Sequence, residues 1–361
     1  MNMALYEPEL GYYASGKARI GREGDFYTSS HLHPVFGTMI GKQIEEMWEM
    51  MGKPQDFQIV EMGAGAGYLC KDMLDYYKGG QGSRVKGASE ERDIFKNLQY
   101  RIVELNPVIK DRQKNLLADF LDRVGWVSSL NELKDIKGCI LSNELLDAFP
   151  VHLIEMEDEI KEIFVGLQEE ELIEKKQMPS TDEIAKYLEE FSIEIQKGYR
   201  SEVNLEIRKW LKEIDNALTE GFILTIDYGY PSWDYYSEEN DRGTLLCYYK
   251  HQVTEDPYQN LGEQDITAHV NFSSVKKWGE ELGIKTIGFC RQGTFLMSLG
   301  IDEEIARIHQ SSDDYVFEVA KIKRLILPGT IGETHKVMIQ HKGKESVELK
   351  GFSMKNQKER L

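Results

Sequence analysis

The sequence predicts a doubly wound α/β fold: a mostly parallel sheet with helices on both faces and an inserted α+β subdomain. Three observations predict it. Short apolar runs alternate with helical patterns between residues 57 and 142, the signature of a sheet covered on both sides. The first run stops at a glycine cluster, Glu61-Met62-Gly63-Ala64-Gly65-Ala66-Gly67. A later run, Gly221-Phe222-Ile223-Leu224-Thr225-Ile226-Asp227, is apolar enough for a strand buried on both faces.

Residues 11–29 are rich in Gly, Tyr and Ser and predict loop. Val35, Phe36, Met39, Ile40, Ile44, Met47, Trp48 and Met51 recur at helical spacing, and Gly52-Lys53-Pro54 ends that helix. Strands are expected at 57–61, 100–104, 125–127 and 139–142, with helices over 68–77 and 108–122 and a polar, glycine-rich, mobile loop over 79–89. Residues 151–175 alternate apolar and acidic side chains and predict antiparallel ribbons. One long polar helix is expected over 181–218, then strands at 221–227, 284–289 and 335–341. The expected organisation is a covering loop and helix (1–56), the first half of the core (57–150), the inserted subdomain (151–210) and the second half of the core (211–361).

No apolar run approaches the length of a bilayer span, and the opening residues match neither a signal peptide nor an Arg-rich transit peptide. A cytoplasmic protein with no membrane partner is expected. A formal net charge of −18 disfavours nucleic acid and favours a basic partner, although solubility alone also explains an acidic chain. The four cysteines, Cys70, Cys139, Cys247 and Cys290, form no C-x-x-C pair, so they predict core thiols in a reducing compartment rather than zinc. His31 and His33 have no evident third ligand, and a helix-start role suits them better; no metal is expected. The oligomeric state is not legible.

The glycine loop carries the chemistry. Ligands of an open α/β sheet bind beyond the carboxyl ends of its strands. Glycines let the backbone approach a ligand, and the carboxylate of Glu61 can receive an ammonium group. That favours S-adenosylmethionine over a pyrophosphate. A dinucleotide fingerprint from Gly63 would need Gly or Ala where Tyr68 stands, which leaves an NAD-linked oxidoreductase as runner-up. A tight turn without a ligand is the plainer alternative. Glu104, closing the second strand, is placed to accept ribose hydroxyls, or is a surface acid. Asn143, Glu144 and Asp147 follow the fourth strand, where carboxylates could hold a guanidinium; Asn143 and Asp147 would equally serve as caps. Gly24-Asp25-Phe26-Tyr27-Thr28-Ser29-Ser30 could fold over the cofactor, and Asp227-Tyr228-Gly229-Tyr230 ends a central strand facing the cleft. His269 could be a base or a structural imidazole.

These elements, in this order, resemble the MidA-like S-adenosylmethionine-dependent methyltransferases. The resemblance runs through Leu5-Tyr6-x-Pro8, Gly11-Tyr12-Tyr13, Gly24 to Ser29, Phe36-Gly37, Glu61 to Gly67 and Val103-Glu104. It continues through Asn143-Glu144-x-x-Asp147-Ala148-x-Pro150-Val151, Ile226-Asp227-Tyr228-Gly229, Arg242-Gly243-Thr244-Leu245, Asp265-Ile266-Thr267-x-x-Val270-x-Phe272 and Gln292-x-x-Phe295-Leu296. It implies a class I methyltransferase (Rossmann-like) core with a family-specific insertion and methylation of arginine in a protein substrate. It further implies that Gly63, Gly65 and Gly67 line the cofactor, Glu104 holds its ribose, and Thr28 and Ser29 lie near its methionine end. Asn143, Glu144 and Asp147 would stand where substrate meets the sulfonium. Ala64 and Ala66 depart from the family's Pro and Arg, and Ser30-His31 from its Pro-Glu. A short segment is expected to precede Met1. A partner-binding assembly factor that keeps the fold, or a small-molecule methyltransferase, would share these features.

Overall fold

The computed structural model describes residues 1–15, 29–79, 90–311, 314–344 and 347–361. Residues 80–89 of the expected mobile loop, and Gly24 to Thr28, lie outside these residues.

The chain opens with helices α1 (Asn2–Tyr6), α2 (Ser29–Leu32) and α3 (Val35–Met50). Strand β1 (Phe57–Met62), helices α4 (Tyr68–Tyr77) and α5 (Asp93–Asn97), β2 (Leu98–Val103), α6 (Pro107–Leu116), β3 (Val124–Val127) and β4 (Ile136–Asn143) follow. Then come β5 (His152–Met156), β6 (Ile160–Gln168), β7 (Glu171–Gln177), α7 (Glu183–Glu190), β8 (Arg200–Val203), α8 (Glu206–Ala217) and β9 (Leu218–Tyr230). After α9 (Ser232–Tyr235), strands β10 (Leu246–Tyr249), β11 (Gln252–Thr254), β12 (Asp265–Thr267) and β13 (Val270–Asn271) lead to α10 (Phe272–Glu281) and β14 (Lys285–Arg291). Helices α11 (Gln292–Ser298), α12 (Ile301–Ser311), α13 (Tyr315–Ile326) and α14 (Ile331–Thr334) precede β15 (His335–Lys342).

The main sheet runs β14-β15-β9-β4-β1-β2-β3, with β13 beside β9. Strands β1, β2, β3, β4 and β9 are mutually parallel, and β15 runs antiparallel to both β9 and β14. The chain walks outward from β1 to β3 and returns on the other side of β1 at β4. That reversal opens a crevice at the carboxyl ends of β1 and β4.

Period-two alternation explains the continuous apolar runs. Cys139, Leu141, Phe222, Leu224 and Ile226 join one core with α3 and α4, whereas Ile140, Ile223 and Met338 join a second core with α7, α8 and α10. Strands sandwiched this way have no polar face to show.

The segment after β4 forms the antiparallel ribbons expected over 151–175 and departs from expectation in its helices. Strands β7-β6-β5-β8 form a separate antiparallel sheet. The single helix expected over 181–218 is two helices with β8 between them. Helix α7 stops at Phe191, Ser192 turns left-handed at φ 51°, and Gly198 turns again at φ 89° before β8 pairs with β5. Each helix is apolar along one stripe, Ile184, Tyr187 and Leu188 in α7 and Ile207, Trp210, Leu211 and Ile214 in α8, so both keep the helical period that suggested one rod. The proposed boundary at 210 falls inside α8. A three-stranded sheet, β11-β10-β12, was not foreseen.

Candidate cofactor and acceptor site

The glycine loop leaves β1 and enters α4. Gly63, Gly65 and Gly67 take φ of 72°, 52° and 87°, the left-handed region where a side chain is strained. Gly67 N donates to Ala64 O at 2.8 Å and closes the turn. Gln113 on α6 fastens it: its Nε2 donates to Gly65 O at 2.8 Å, while its Oε1 accepts from Trp126 Nε1 at 2.8 Å. The same Nε2 stands 3.4 Å from Glu104 Oε2.

Glu104 follows β2 at the crevice. Its Oε1 accepts from Asn106 N at 2.7 Å, and among the described residues its Oε2 has a long contact with Gln113, which leaves that oxygen capacity to accept more. Burial raises its pKa, opposed by the Asn106 amide. Asn106 also caps α6 through Val108 N at 2.9 Å and donates to Tyr13 O and Ala14 O at 3.0 and 2.8 Å. The N-terminal segment is thereby strapped beside Glu104. Its far side is tied by Tyr6 Oη, which donates to Ala148 O, and Tyr13 Oη, which donates to Asp265 Oδ1.

Glu61 ends its strand inside the protein. It is 2% exposed, accepts from Tyr100 Oη at 2.6 Å, and burial pushes its carboxyl up to about 7.

Beyond β4, Asn143, Glu144 and Asp147 come together with residues from three other elements. Glu144 adopts φ 53°, a conformation that costs a non-glycine residue on the order of 1 kcal/mol, and its amide donates to Ile226 O at 2.8 Å. Its Oε1 accepts from Ser29 N at 3.1 Å and Asn143 Nδ2 at 3.2 Å, and His335 Nε2 on β15 stands 3.6 Å away. Ser29 is fully buried, and its hydroxyl donates to Gln292 Oε1 at 3.1 Å. Asp147 accepts from Tyr228 Oη, the next residue along β9 after Asp227. Asp227 Oδ2 gathers the amides of Leu145, Leu146 and Asp147 at 3.2, 2.9 and 3.4 Å and holds the turn in place. Burial raises both Asp147 and Asp227 above the usual carboxylate range, with Glu144 repelling each and Asp147 repelling Asp227. Asn143 Oδ1 and Asp147 Oδ1 are buried without a hydrogen-bond partner among the described residues.

Of the residues singled out in the sequence, Glu144, Asp147, Asn143 and Ser29 share one cluster, and the glycine loop and Glu104 share another. Glu61 faces Tyr100, and Thr28 is not described. His33 starts a helix: its Nδ1 accepts from Val35 N at 3.0 Å and its Nε2 pairs with Glu318 at 3.0 Å. His269 lies between the rings of Tyr228 and Tyr230, both at 5.2 Å, and burial lowers it to about 4. Gln113, Asn106 and His335 were missed. Asn106-Pro107 is a legible helix start, and Gln113 is a polar residue at a buried helical position; neither signals a ligand by itself.

This arrangement has the chemistry to hold S-adenosylmethionine: a left-handed glycine loop for close approach, a carboxylate oxygen with spare capacity and buried acceptors just past β4. A family model for S-adenosyl-L-methionine-dependent methyltransferases matches residues 39–290. The mitochondrial protein arginine methyltransferase NDUFAF7 of Danio rerio is 26% identical over 362 residues, covering 92% of this chain and 80% of its own. The homolog from Drosophila melanogaster is 26% identical over 333 residues, covering 83% and 70%. A crystal structure from Burkholderia thailandensis with S-adenosyl-homocysteine bound matches with a TM-score of 0.88 and 27% identity, covering all of this chain and 90% of that one.

Proposed function

Because the chain belongs to this family of S-adenosylmethionine-dependent methyltransferases, we propose that its acceptor is an arginine in a basic segment of a protein. The observation that carries the reading is the pair Glu144 and Asp147, little-exposed carboxylates just past the carboxyl end of β4, with Asp147 Oδ1 lacking a partner among the described residues. A guanidinium is planar, cationic and forked, and it satisfies such acceptors in pairs. The names of the Danio and Drosophila relatives support the same acceptor.

When bound, S-adenosylmethionine supplies an electrophilic methyl on a sulfonium. Gly63, Gly65 and Gly67 would line it, Glu104 would take its ribose hydroxyls, and Ser29 would border its methionine end. Glu61, buried one residue before the end of β1, would supply the charge that meets the ammonium. Glu144 and Asp147 hold the guanidinium with Asn143 beside them, and the strap over residues 1–15 limits water.

The four cysteines are free and buried, which supports a reducing compartment, and we read the protein as cytoplasmic on that chemistry. The curated relatives are named mitochondrial. No helix among the described residues is long and apolar enough to cross a membrane. Incubating lysate with the protein and radiolabelled cofactor tests the acceptor class. Label in a protein band is expected; label only in the small-molecule fraction would move the reading to a metabolite methyltransferase, and no label would leave a partner-binding factor.

A further inference from the structure

We propose a division of labour in the acceptor site: Asp147 Oδ1 takes the proton shed by the acceptor nitrogen, Tyr228 is its positioning residue, and Glu144 only orients the acceptor. The proposal rests on the reading that a nitrogen is methylated there.

The three carboxylates are not equivalent. Asp227 is used up inside the protein, with Oδ2 shared by three amides and Oδ1 accepting from Tyr228 N at 2.9 Å. Glu144 Oε1 accepts two bonds and faces His335. Of the three, only Asp147 keeps an oxygen that is fully buried and without a partner among the described residues. Its other oxygen is fixed by Tyr228 Oη. That phenol is partly buried and kept protonated by desolvation and by Asp147 itself, so it acts as a donor throughout. Strand β9 therefore holds the Asp147 turn through Asp227 and aims its carboxylate through Tyr228.

The charge balance at Asp147 is set by several elements. Glu144 on the same turn raises its pKa, while Tyr228 from β9 and His335 from β15 lower it. Asp227 repels it from β9, and the phenols of Tyr6, Tyr13 and Tyr248 face it from the N-terminal segment and β10. The result is a carboxylate more basic than an exposed one, the condition for a proton acceptor.

In the step, a C–N bond forms as the C–S bond breaks, and the bonding pair stays on sulfur. One N–H proton passes to Asp147 Oδ1. A guanidinium acceptor thus remains a monocation, and the carboxyl releases its proton to water after the product leaves.

Tyr228→Phe removes the bond that favours ionised Asp147. The acidic limb of kcat/KM on an arginine peptide should move up by about 1–2 pH units, the span of a hydrogen bond to a charged group. Activity should recover at high pH, with affinity for S-adenosylhomocysteine unchanged. Infrared difference titration of the ligand-free protein gives a readout independent of turnover. A protonated-carboxyl band should vanish in Asp147→Asn and titrate at higher pH in Tyr228→Phe. Methyl found on oxygen or carbon would remove the acceptor reading and this proposal together. Methyl on nitrogen, with an unmoved limb or an unmoved band, would overturn the proposal alone.

Discussion

Glu61 and Glu104 stand at the ends of neighbouring strands, two register positions apart, yet they meet different surroundings. Glu61 has Tyr100 as partner and burial on every side, so its carboxyl is pushed up to about 7. A raised carboxyl contributes stability that is complete below the unfolded value and is lost as pH rises through the folded one. Glu61→Gln should therefore be about neutral at pH 5 and more stable than the native protein by roughly 3 kcal/mol at pH 8 in denaturant melts. A difference that does not vary with pH would show that Glu61 does not titrate there. The same variant should bind S-adenosylhomocysteine more weakly, because the site loses its countercharge. Glu104→Ala should weaken that ligand by roughly 1.5–3 kcal/mol in calorimetry, the range for hydrogen bonds to a charged group. Unchanged affinity would reassign Glu104 to the surface.

At the scale of elements, what was legible followed from burial. Strands β4 and β9 lie between two cores, so nearly every side chain is apolar and the runs stand out. Strand β8 is only Arg200-Ser201-Glu202-Val203, and its pairing with β5 outweighs a local sequence that continues the polarity of its flanking helices. Strands β10 to β12 are short and gain their partners from one another and from the N-terminal segment, through Leu5, Tyr12, Cys247 and Ile266. The same distinction holds in the site. Glu104, Asn143, Glu144 and Asp147 sit just past strand ends and could be read directly. Gln292 reaches Ser29 across 263 positions and His335 arrives on the antiparallel strand, so only the tertiary fold joins them to the site. Asn106 tests the strap. Asn106→Ala removes the α6 cap, at about 1 kcal/mol, and releases residues 13 and 14. Amide exchange should quicken in residues 12–15 while the main sheet stays protected; equal quickening everywhere would mean only a global loss of stability. Gly65→Val, at φ 52°, should abolish cofactor binding in calorimetry, and retained binding would detach the loop from the cofactor.

The whole molecule carries a formal charge of −18, which raises the encounter rate with a basic segment and is screened by salt. Methylation of an arginine-rich peptide should lose kcat/KM severalfold between low and high salt while affinity for S-adenosylhomocysteine barely changes. Charge and encounter say nothing about which atom receives the methyl group. That question is answered most directly by fragment-ion mass spectrometry of the product made with isotopically labelled cofactor, comparing the native protein with Glu144→Gln. The account predicts label on a guanidino nitrogen of arginine, and at least ~100-fold less of it in Glu144→Gln, the low end for orienting and acid–base groups, with cofactor binding retained. Label on a carboxylate, hydroxyl or carbon atom, or an undiminished yield in Glu144→Gln, would contradict it.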